Sequence, residues 1–260
     1  TWYPMGGMYQ IINAMKKIAI DLGVEFKFKK NIDGFNIVNN IITEASFNND
    51  STIKADHYVS NCEYPFIQSE ILDENHRSYS KKYWGSRKIA PSAVIFYLGL
   101  TKKIKFLKHH NLFFDEDFDT HLDDIYNKNK FPNKPLFYAC CPSKTDTSVT
   151  PSGSMENIFV LVPVSINSDP TKDEIDYYFN YVMDKFEKHE GEQIRKYITE
   201  KVSYTKNDFI TEYNSYKGNA YGLANTLFQT ATFKPKISDK QIKNLSYCGH
   251  FTVPGPGVPP

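Results

Sequence analysis

Residues 247–260 read Tyr-Cys-Gly-His-Phe-Thr-Val-Pro-Gly-Pro-Gly-Val-Pro-Pro. A short apolar run of Leu245, Tyr247 and Cys248 predicts a strand that leads into this segment. Its glycines can adopt positive φ and carry no Cβ, and its alternating prolines stiffen the loop. Such a loop lets backbone N–H groups come close to a flat or anionic ligand. A plain turn or tail rich in proline and glycine is the alternative interpretation.

A second pair of glycines lies near the start of the chain, in the segment Tyr3-Pro4-Met5-Gly6-Gly7-Met8. Residues 8–22 follow with apolar side chains on one helical face, and Gly23 stands where a helix C-cap belongs. Residues 24–28 alternate between apolar and charged side chains, which predicts a strand. The start of the chain therefore predicts a helix-to-strand unit entered through glycines.

The composition is that of a packed globular protein with almost no net charge. The chain has 260 residues, which is enough for one large domain or two ordinary ones. Of these residues, 40% are hydrophobic and 23% are charged. Its 31 basic and 30 acidic residues give a net charge of +1, and no polybasic run supports a nucleic-acid partner. Aromatic residues make up 15% of the chain. They either pack in the core or line a site for a long apolar ligand.

Four cysteines, Cys62, Cys140, Cys141 and Cys248, match neither the spacing of a zinc site nor that of a disulfide framework. We therefore expect free thiols and a reducing, cytoplasmic compartment. The longest apolar stretch, residues 93–100, is far shorter than the ~20 residues of a membrane-spanning helix, and no signal peptide is visible. Because the sequence starts on a threonine and stops within the glycine and proline loop, we expect a piece of a longer protein.

The middle of the chain predicts a sheet and two helices. Residues 39–40, Asn-Asn, suit a hairpin turn between two short strands, and residues 55–61 predict a third strand. Strand patterns separated by polar segments predict an antiparallel sheet, and they occur at residues 93–100, 112–114, 136–141 and 158–164. Residues 169–189 predict a long amphipathic helix, and residues 206–213 a short one. The predicted fold class is α/β with an α+β insertion, and the ligand is expected at the domain junction.

His109 and His110 are adjacent in a chain with seven histidines. Adjacent side chains point to opposite faces of a strand or lie about 100° apart on a helix, so the pair is not expected to share a metal. One structural and one exposed histidine is the first interpretation. General acid–base catalysis is the second.

Three further polar motifs carry weaker signals. Residues 142–148 place a serine near a lysine but form no nucleophile elbow, which favours a polar turn. The acidic residues at 115–124 lack the glycine of a calcium loop, which favours a solvated face. Residues 218–222, Gly-Asn-Ala-Tyr-Gly, predict either a turn at a helix start or a ligand contact.

Taken in order, seven segments resemble the bacterial phytoene desaturase family, which are flavin-dependent carotenoid desaturases related to the amine oxidases. The segments are residues 3–8, 55–61, 109–111, 142–153, 161–164, 218–222 and 252–259. No single segment is decisive, but their common order over nearly the whole chain is specific. The chain resembles the C-terminal half or more of such an enzyme, without the N-terminal GxGxxG fingerprint that holds the flavin diphosphate.

The resemblance implies a partial, Rossmann-like FAD-binding domain and a substrate-binding domain made of an antiparallel sheet and helices. Residues 1–61 and 236–260 would belong to the FAD-binding domain, and residues 62–235 to the substrate-binding domain. The residues that it assigns to the cofactor are Val24, Ile32, Asn61, Gly249, Gly255, Gly257, Val258 and Pro259. It places Asn219 and Tyr221 at the substrate. It assigns no catalytic proton-transfer group and no metal.

The activity that the resemblance implies is FAD-dependent desaturation of phytoene or a related C40 polyene in carotenoid biosynthesis. The piece alone is expected to be inactive. The alternatives are a carotenoid isomerase, a hydroxycarotenoid 3,4-desaturase, a retinol saturase-like enzyme and a non-catalytic module that binds apolar lipids. Because the substrate resides in lipid, we expect a cytoplasmic protein that associates peripherally with the inner face of the membrane.

Overall fold

The computed structural model describes residues 2–48 and 51–256. The strands are β1 (Ile32–Val38), β2 (Ile41–Phe47), β3 (Ser51–Ile53), β4 (Tyr58–Ser60), β5 (Ser92–Leu100), β6 (His110–Phe113), β7 (Phe137–Cys140), β8 (Glu156–Val164), β9 (Ile198–Tyr204) and β10 (Leu245–Tyr247). The helices are α1 (Tyr9–Asp21), α2 (Tyr64–Phe66), α3 (Lys81–Gly85), α4 (Phe118–Asp123), α5 (Lys172–Glu190) and α6 (Lys206–Tyr213). Single π turns at Ile67–Ile71 and Asp124–Lys128 extend α2 and α4. The predicted mixture of α/β and antiparallel elements is confirmed.

The chain forms two compact units, and each is discontinuous in sequence. Unit 1 contains Thr1–Phe26 and Ala93–Thr205, and unit 2 contains Lys27–Ser92 and Lys206–Pro260. These bounds differ from the predicted domain bounds at residues 61 and 236. The N-terminal segment belongs to unit 1 because the Gly6 amide donates to Asp146 Oδ2 at 2.5 Å. Which part of the chain binds a cofactor and which a substrate stays a prediction.

A five-stranded sheet, in the order β6-β7-β8-β5-β9, forms the centre of unit 1. Strand β8 alternates strictly between buried and partly exposed side chains, as expected of a strand with one face on the core. The buried face of the sheet and one face of α5 share a single apolar core. The residues that α5 contributes to it are Tyr178, Val182, Met183 and Phe186.

Both ends of α5 are set by capping residues that can be recognised in the sequence. Thr171 accepts a hydrogen bond from the Glu174 amide, and the Glu174 carboxylate accepts one from the Thr171 amide, which together form a capping box. At the other end Gly191 takes the left-handed conformation, with φ of +78°, and its amide bonds to the Glu187 carbonyl oxygen. The predicted long helix is therefore confirmed at both ends.

Helix α1 lies within one residue of its predicted bounds at each end, but its apolar face is not buried. It ends at Asp21, and Gly23 follows with φ of +85°. None of its residues is buried, and Met15 at its centre is 67% exposed. No side chain caps its N-terminus. Within the described residues, the apolar face of α1 is left uncovered.

Unit 2 contains a small meander, a pair of parallel strands and an aromatic core. Strands β1, β2 and β3 form an antiparallel sheet, and Asn39 and Asn40 take positive φ in the hairpin between the first two. Strand β4 pairs in parallel with β10. The rings of Tyr64 and Tyr247 stack at 3.7 Å between centroids, which packs the segment after β4 against β10.

One sequence prediction of a strand is wrong, and one strand of the structure was not predicted. Residues 24–28 form no strand, because no described strand pairs with them and their apolar side chains are exposed. Strand β9 carries no prediction from the sequence, yet it pairs with β5 from Ile95↔Tyr204 to Leu100↔Ile198. Both differences arise because a strand is defined by its partner rather than by its own residues.

Candidate functional site

In unit 2, two parallel strands end at the same edge. Asn61 directly follows β4, and Cys248 directly follows β10. The Asn61 side-chain amide donates to the Cys248 carbonyl oxygen at 3.3 Å. The carboxyl ends of neighbouring parallel strands are where open α/β sheets bind ligands. The structure thus brings Asn61, a predicted cofactor residue, to the edge from which the glycine-rich loop departs.

In the loop after β10, two positions within the described residues have a backbone conformation that suits only glycine. Gly249 has φ of +115°, and a Cβ at this position would lie 3.4 Å from Asn61 Nδ2. Gly255 has φ of +134°, and a Cβ there would lie 3.1 Å from Lys234 Cε. L-residues rarely adopt these conformations, so the backbone is left without side chains at both points. This geometry is the one expected of a loop whose backbone approaches a ligand.

Lys234 is 4% exposed, and it lies next to this loop. Its ammonium donates to the His250 carbonyl oxygen at 3.4 Å. Among residues 2–48 and 51–256, it forms no ion pair with a carboxylate. Burial lowers the pKa of Lys234, because a desolvated ammonium without a counter-ion is costly. The site therefore contains a buried cation that an anionic ligand would stabilise.

Glu63 is a buried carboxylate that holds three segments of unit 2 together. Its Oε1 accepts hydrogen bonds from the Tyr216 amide at 2.9 Å and from Asn219 Nδ2 at 2.7 Å. Its Oε2 lies 3.0 Å from His250 Nε2. These contacts fix the glycine-rich loop relative to residues 216–219.

The two predicted substrate residues differ in exposure. Asn219 is 2% exposed, and its amide donates to Glu63, to Ser215 Oγ and to the Tyr216 carbonyl oxygen. Its Oδ1 accepts from the Gly222 amide at 2.5 Å. Tyr221 is half exposed. Of the two, only Tyr221 offers a side-chain surface that is not already engaged, and a substrate contact stays a prediction for both.

The remaining predicted cofactor residues fall in different places. Ile32 lies with Asn61 in the wall of a unit 2 cavity of about 490 Å³, whose other walls include Phe47, Tyr58 and Thr211. Val24 belongs to unit 1, where its side chain is half exposed. Gly257, Val258 and Pro259 lie outside the described residues. The structure thus brings Ile32 and Asn61 to one cavity, and Asn61 to Gly249.

Unit 1 contains a second cavity, of about 850 Å³, with mainly aromatic and apolar walls. Its lining residues are Trp2, Tyr3, Gly7, Met8, His109, His110, Tyr138, Cys140, Pro142, Thr145, Val149, Asn157 and Phe159. Tyr3 meets His109 edge-on at 4.9 Å between ring centroids. Burial, followed by the neighbouring His110, lowers the pKa of His109 below its ordinary value. Such walls suit a long apolar ligand.

The two adjacent histidines lie closer together than the sequence predicts. Their ring centroids are 4.4 Å apart. His109 occupies a bend just before β6, and therefore does not follow the alternation of a strand. One nitrogen of each ring and Cys140 Sγ lie within 4.8 Å of one another. The geometric reason for not expecting a shared metal is therefore wrong.

The polar segment at residues 142–148 is a turn, as predicted, and it is held by two carboxylates. Asp146 accepts from the Gly6 and Ser148 amides. Glu156 is fully buried; it accepts from Ser143 and forms an ion pair with Lys144 at 2.5 Å. Burial by itself would raise the pKa of Glu156, but hydrogen bonds from Cys141, Lys144 and Ser143 lower it. Ser143 is thus a structural residue of this turn.

Sequence reasoning misses Lys234 and Glu63. Each stands in a segment that is polar or mixed, and nothing in the local pattern shows that its charge is buried.

Comparison with proteins of known sequence gives relatives over the full chain, although no family model matches it. The chain is 32% identical over 259 residues to a carotenoid 3,4-desaturase of Haloarcula japonica, a match that covers 100% of this chain and 52% of the relative. It is 27% identical to a zeta-carotene-forming phytoene desaturase of Myxococcus xanthus, over 99% of this chain and 50% of the relative. A phytoene desaturase of Neurospora crassa is also 27% identical, over 99% of this chain and 46% of the relative.

Comparison with solved structures supports the fold. An oxidoreductase from Methanosarcina mazei superposes with a TM-score of 0.53 and 12% identity, over 95% of this chain and 49% of that protein. A putrescine oxidase superposes with a TM-score of 0.53 and 9% identity, over 94% of this chain and 47% of that protein. The chain spans about half the length of the curated relatives that it matches. The resemblance read from the seven segments is confirmed, because the relatives that match the whole chain are named as carotenoid and phytoene desaturases.

Proposed function

We propose that this chain is part of an FAD-dependent desaturase that introduces double bonds into phytoene or a related C40 polyene. The observation that carries the proposal is the match of the whole chain to relatives named as carotenoid and phytoene desaturases. The geometry of both units is compatible with it. Unit 2 offers a glycine-rich loop beside a buried cation, and unit 1 offers an apolar cavity.

The residues of unit 2 fit an anionic dinucleotide. Gly249 and Gly255 leave backbone without Cβ atoms, and the buried ammonium of Lys234 adjoins Gly255. A diphosphate near this ammonium would supply the negative charge that the described residues do not. We propose that Asn61, Gly249, Gly255 and Lys234 hold FAD, with Ile32 in the wall of the neighbouring cavity. Gly257, Val258, Pro259 and Val24 remain predicted contacts.

A bound flavin would supply the redox chemistry, taking up the two hydrogens that leave adjacent carbons of the substrate as each new double bond forms. The chain itself must bind an apolar substrate, orient it and exclude water. The aromatic walls of the unit 1 cavity suit the binding of a polyene. The exposed ring of Tyr221 is the proposed substrate contact of unit 2, with Asn219 as the residue that positions its segment.

Membrane association forms part of the proposal because carotenoids dissolve in lipid. Among the described helices, none is both long and apolar enough to cross a bilayer. We propose peripheral binding at the inner face of the membrane, through apolar surface rather than a spanning segment. A matched test is flotation of the protein with phospholipid vesicles, with and without phytoene. Recovery of the protein only at the bottom of the gradient in both cases would contradict this part of the proposal.

The function is tested by expressing the full-length gene product in cells that accumulate phytoene. Chromatography of the pigments should show more unsaturated carotenes, and the purified protein should be yellow and bleach with dithionite. A colourless protein that leaves phytoene unchanged would overturn the proposal. The isolated chain, which corresponds to half of its relatives, is expected to leave phytoene unchanged.

The contribution of Lys234 is tested with the variant Lys234→Met in the same full-length protein. We expect the flavin content after purification to fall at least about tenfold, because a desolvated charge-assisted bond to phosphate is lost. The matched control is Lys236→Met, which removes an exposed ammonium two residues away. Equal flavin content in both variants would show that Lys234 does not hold the cofactor.

A second candidate reaction is 3,4-desaturation of a carotenoid that already carries an end-group modification. It is favoured by the relative with 32% identity, which is named a carotenoid 3,4-desaturase. Supplying the same cells with either phytoene or a hydroxylated carotenoid separates the two reactions. Conversion of only the hydroxylated substrate would favour this second reaction.

A further inference from the structure

We propose that His109, His110 and Cys140 form a binding site for a divalent transition metal, with Zn²⁺ as the first choice. The site lies in unit 1 and does not depend on the proposed flavin chemistry. Its geometry comes from two neighbouring strands. His110 is the direct cross-strand partner of Cys140, and the backbone of His109 accepts a hydrogen bond from the Cys141 amide at 2.8 Å.

The three ligand atoms are almost close enough for one metal ion. One nitrogen of each imidazole and Cys140 Sγ lie within 4.8 Å of one another. In a tetrahedral site with bond lengths of about 2.0–2.3 Å, ligand atoms are about 3.4–3.6 Å apart. The required closure is about 1 Å, which side-chain rotation can supply because His110 is exposed and the other two residues are only partly buried.

A hydroxyl group forms a hydrogen bond with each of the two imidazole rings. His109 Nδ1 lies 2.6 Å from Thr145 Oγ1, and His110 Nδ1 lies 2.6 Å from the Tyr138 hydroxyl. When each Nδ1 is protonated and donates a hydrogen bond to its hydroxyl partner, the unprotonated Nε2 is the nitrogen available to bind the metal. Hydrogen bonds of this kind fix ring orientation in metal sites and commonly strengthen binding.

The donor set selects the kind of metal. Two imidazoles and one thiolate suit Zn²⁺, Co²⁺ or Ni²⁺, whereas Mg²⁺ and Ca²⁺ prefer oxygen ligands. Binding replaces the thiol proton of Cys140, which passes to solvent as the metal–sulfur bond forms. The adjacent Cys141 does not compete, because its thiol is buried and donates to Glu156 at 2.9 Å.

Three protein ligands leave one coordination position. All three residues border the cavity of about 850 Å³ in unit 1, so a water molecule or another small ligand from that cavity can occupy the fourth position. This arrangement is that of a zinc site open to a cavity rather than of a closed structural site.

The first test is cobalt spectroscopy on the metal-free chain. Addition of Co²⁺ should give one equivalent of bound metal, with thiolate-to-metal charge-transfer absorption and the visible bands of a four-coordinate ion. The isosteric variant Cys140→Ser should lose the charge-transfer absorption, and His110→Gln should bind much more weakly. The controls Cys62→Ser and His57→Gln change the same residue types in unit 2 and should bind as the unchanged chain does.

The second test does not remove a ligand. Tyr138→Phe leaves all three donors in place but removes the hydroxyl that orients His110, and the affinity for Zn²⁺ should fall about tenfold. Zn²⁺ should also slow alkylation of Cys140 by iodoacetamide while the exposed Cys62 reacts at an unchanged rate. Absence of the charge-transfer absorption, its persistence in Cys140→Ser, or equal alkylation of Cys140 with and without Zn²⁺ would each overturn the proposal.

Discussion

Helices α1 and α5 belong to the same unit and both have an apolar face, but only one of them is packed. α5 buries four side chains in the core and begins with a capping box. α1 buries none and begins at Tyr9, and the side chain of Met8 at the N-cap position forms no capping hydrogen bond. Both helices occur within three residues of the bounds that their sequences predict. The difference shows that apolar periodicity indicates a helix and its face but does not indicate what covers that face.

The largest loss of stability is expected when a core side chain of α5 is truncated. Phe186→Ala removes a ring that is fully buried against Phe106 and Phe113, and should lower the free energy of unfolding by about 3–5 kcal/mol. Chemical denaturation of the chain measures it. Phe118→Ala removes a half-exposed ring from α4 and should cost less than about 1 kcal/mol. Equal losses in the two variants would mean that α5 is not the core helix of unit 1.

The N-terminal cap of α5 should contribute less to the free energy of unfolding than its buried side chains do. Thr171→Ala removes the hydroxyl that accepts from the Glu174 amide, and should cost about 1 kcal/mol in denaturant. Thr171→Ser keeps an oxygen at this position and should recover most of the loss. A serine variant as unstable as the alanine variant would show that the hydroxyl does not cap the helix.

Lys185 of α5 should make stability depend on pH. Its ammonium contacts Asp115 at 2.5 Å and Glu116 at 2.9 Å, and these hydrogen bonds lower the pKa of both carboxyls. The stabilisation is therefore complete above the ordinary carboxyl range and is lost as the pH falls through the lowered pKa values. In Lys185→Met, the melting temperature should fall less steeply between neutral and acidic pH.

The effect should be small because these groups are partly solvated. Lys188→Met, at an exposed position of the same helix, is the matched control and should keep the pH profile of the unchanged chain. If Lys188→Met flattened the profile as much as Lys185→Met, net charge rather than this ion pair would be responsible.

The smallest effect on stability is expected from α1. Ile12→Ala and Met15→Ala shorten side chains that are 54% and 67% exposed, and each should change the free energy of unfolding by no more than about 0.5 kcal/mol. Replacing the same two residues with lysine should raise the concentration at which the chain precipitates, because the apolar patch is interrupted. An alanine variant of α1 that loses more than about 2 kcal/mol would place this helix in the core.

The parts of the fold that depend on local sequence were predictable. The hairpin at Asn39-Asn40 and the ends of α5 follow from residues within one turn of the chain. Strand β9 was not predicted, and the strand predicted at residues 24–28 is absent, because pairing with a distant strand decides both. The candidate site shows the same contrast between features set by local sequence and features set by distant packing. Asn61 and Gly249 could be predicted from motifs in register, whereas the burial of Lys234 depends on packing across unit 2.

The adjacent histidines show why an ideal geometry can mislead. The sequence places His109 beside His110, and strand alternation then separates their rings. A single bend before β6 removes that separation. Where a strand starts cannot be located to one residue from sequence, and here one residue decides whether three ligand atoms converge.

The parallel pairing of β4 with β10 has a consequence for synthesis. Asn61 and its partner Cys248 are separated by 187 positions. A ribosome that adds about 5–20 residues each second needs about 10–40 s to cover that distance. During this interval Tyr64 and Trp84 have emerged, but Tyr247 and Phe251, on which they pack, have not. The nascent chain therefore exposes the aromatic surface of Tyr64 and Trp84 to solvent until residues 247–251 are made.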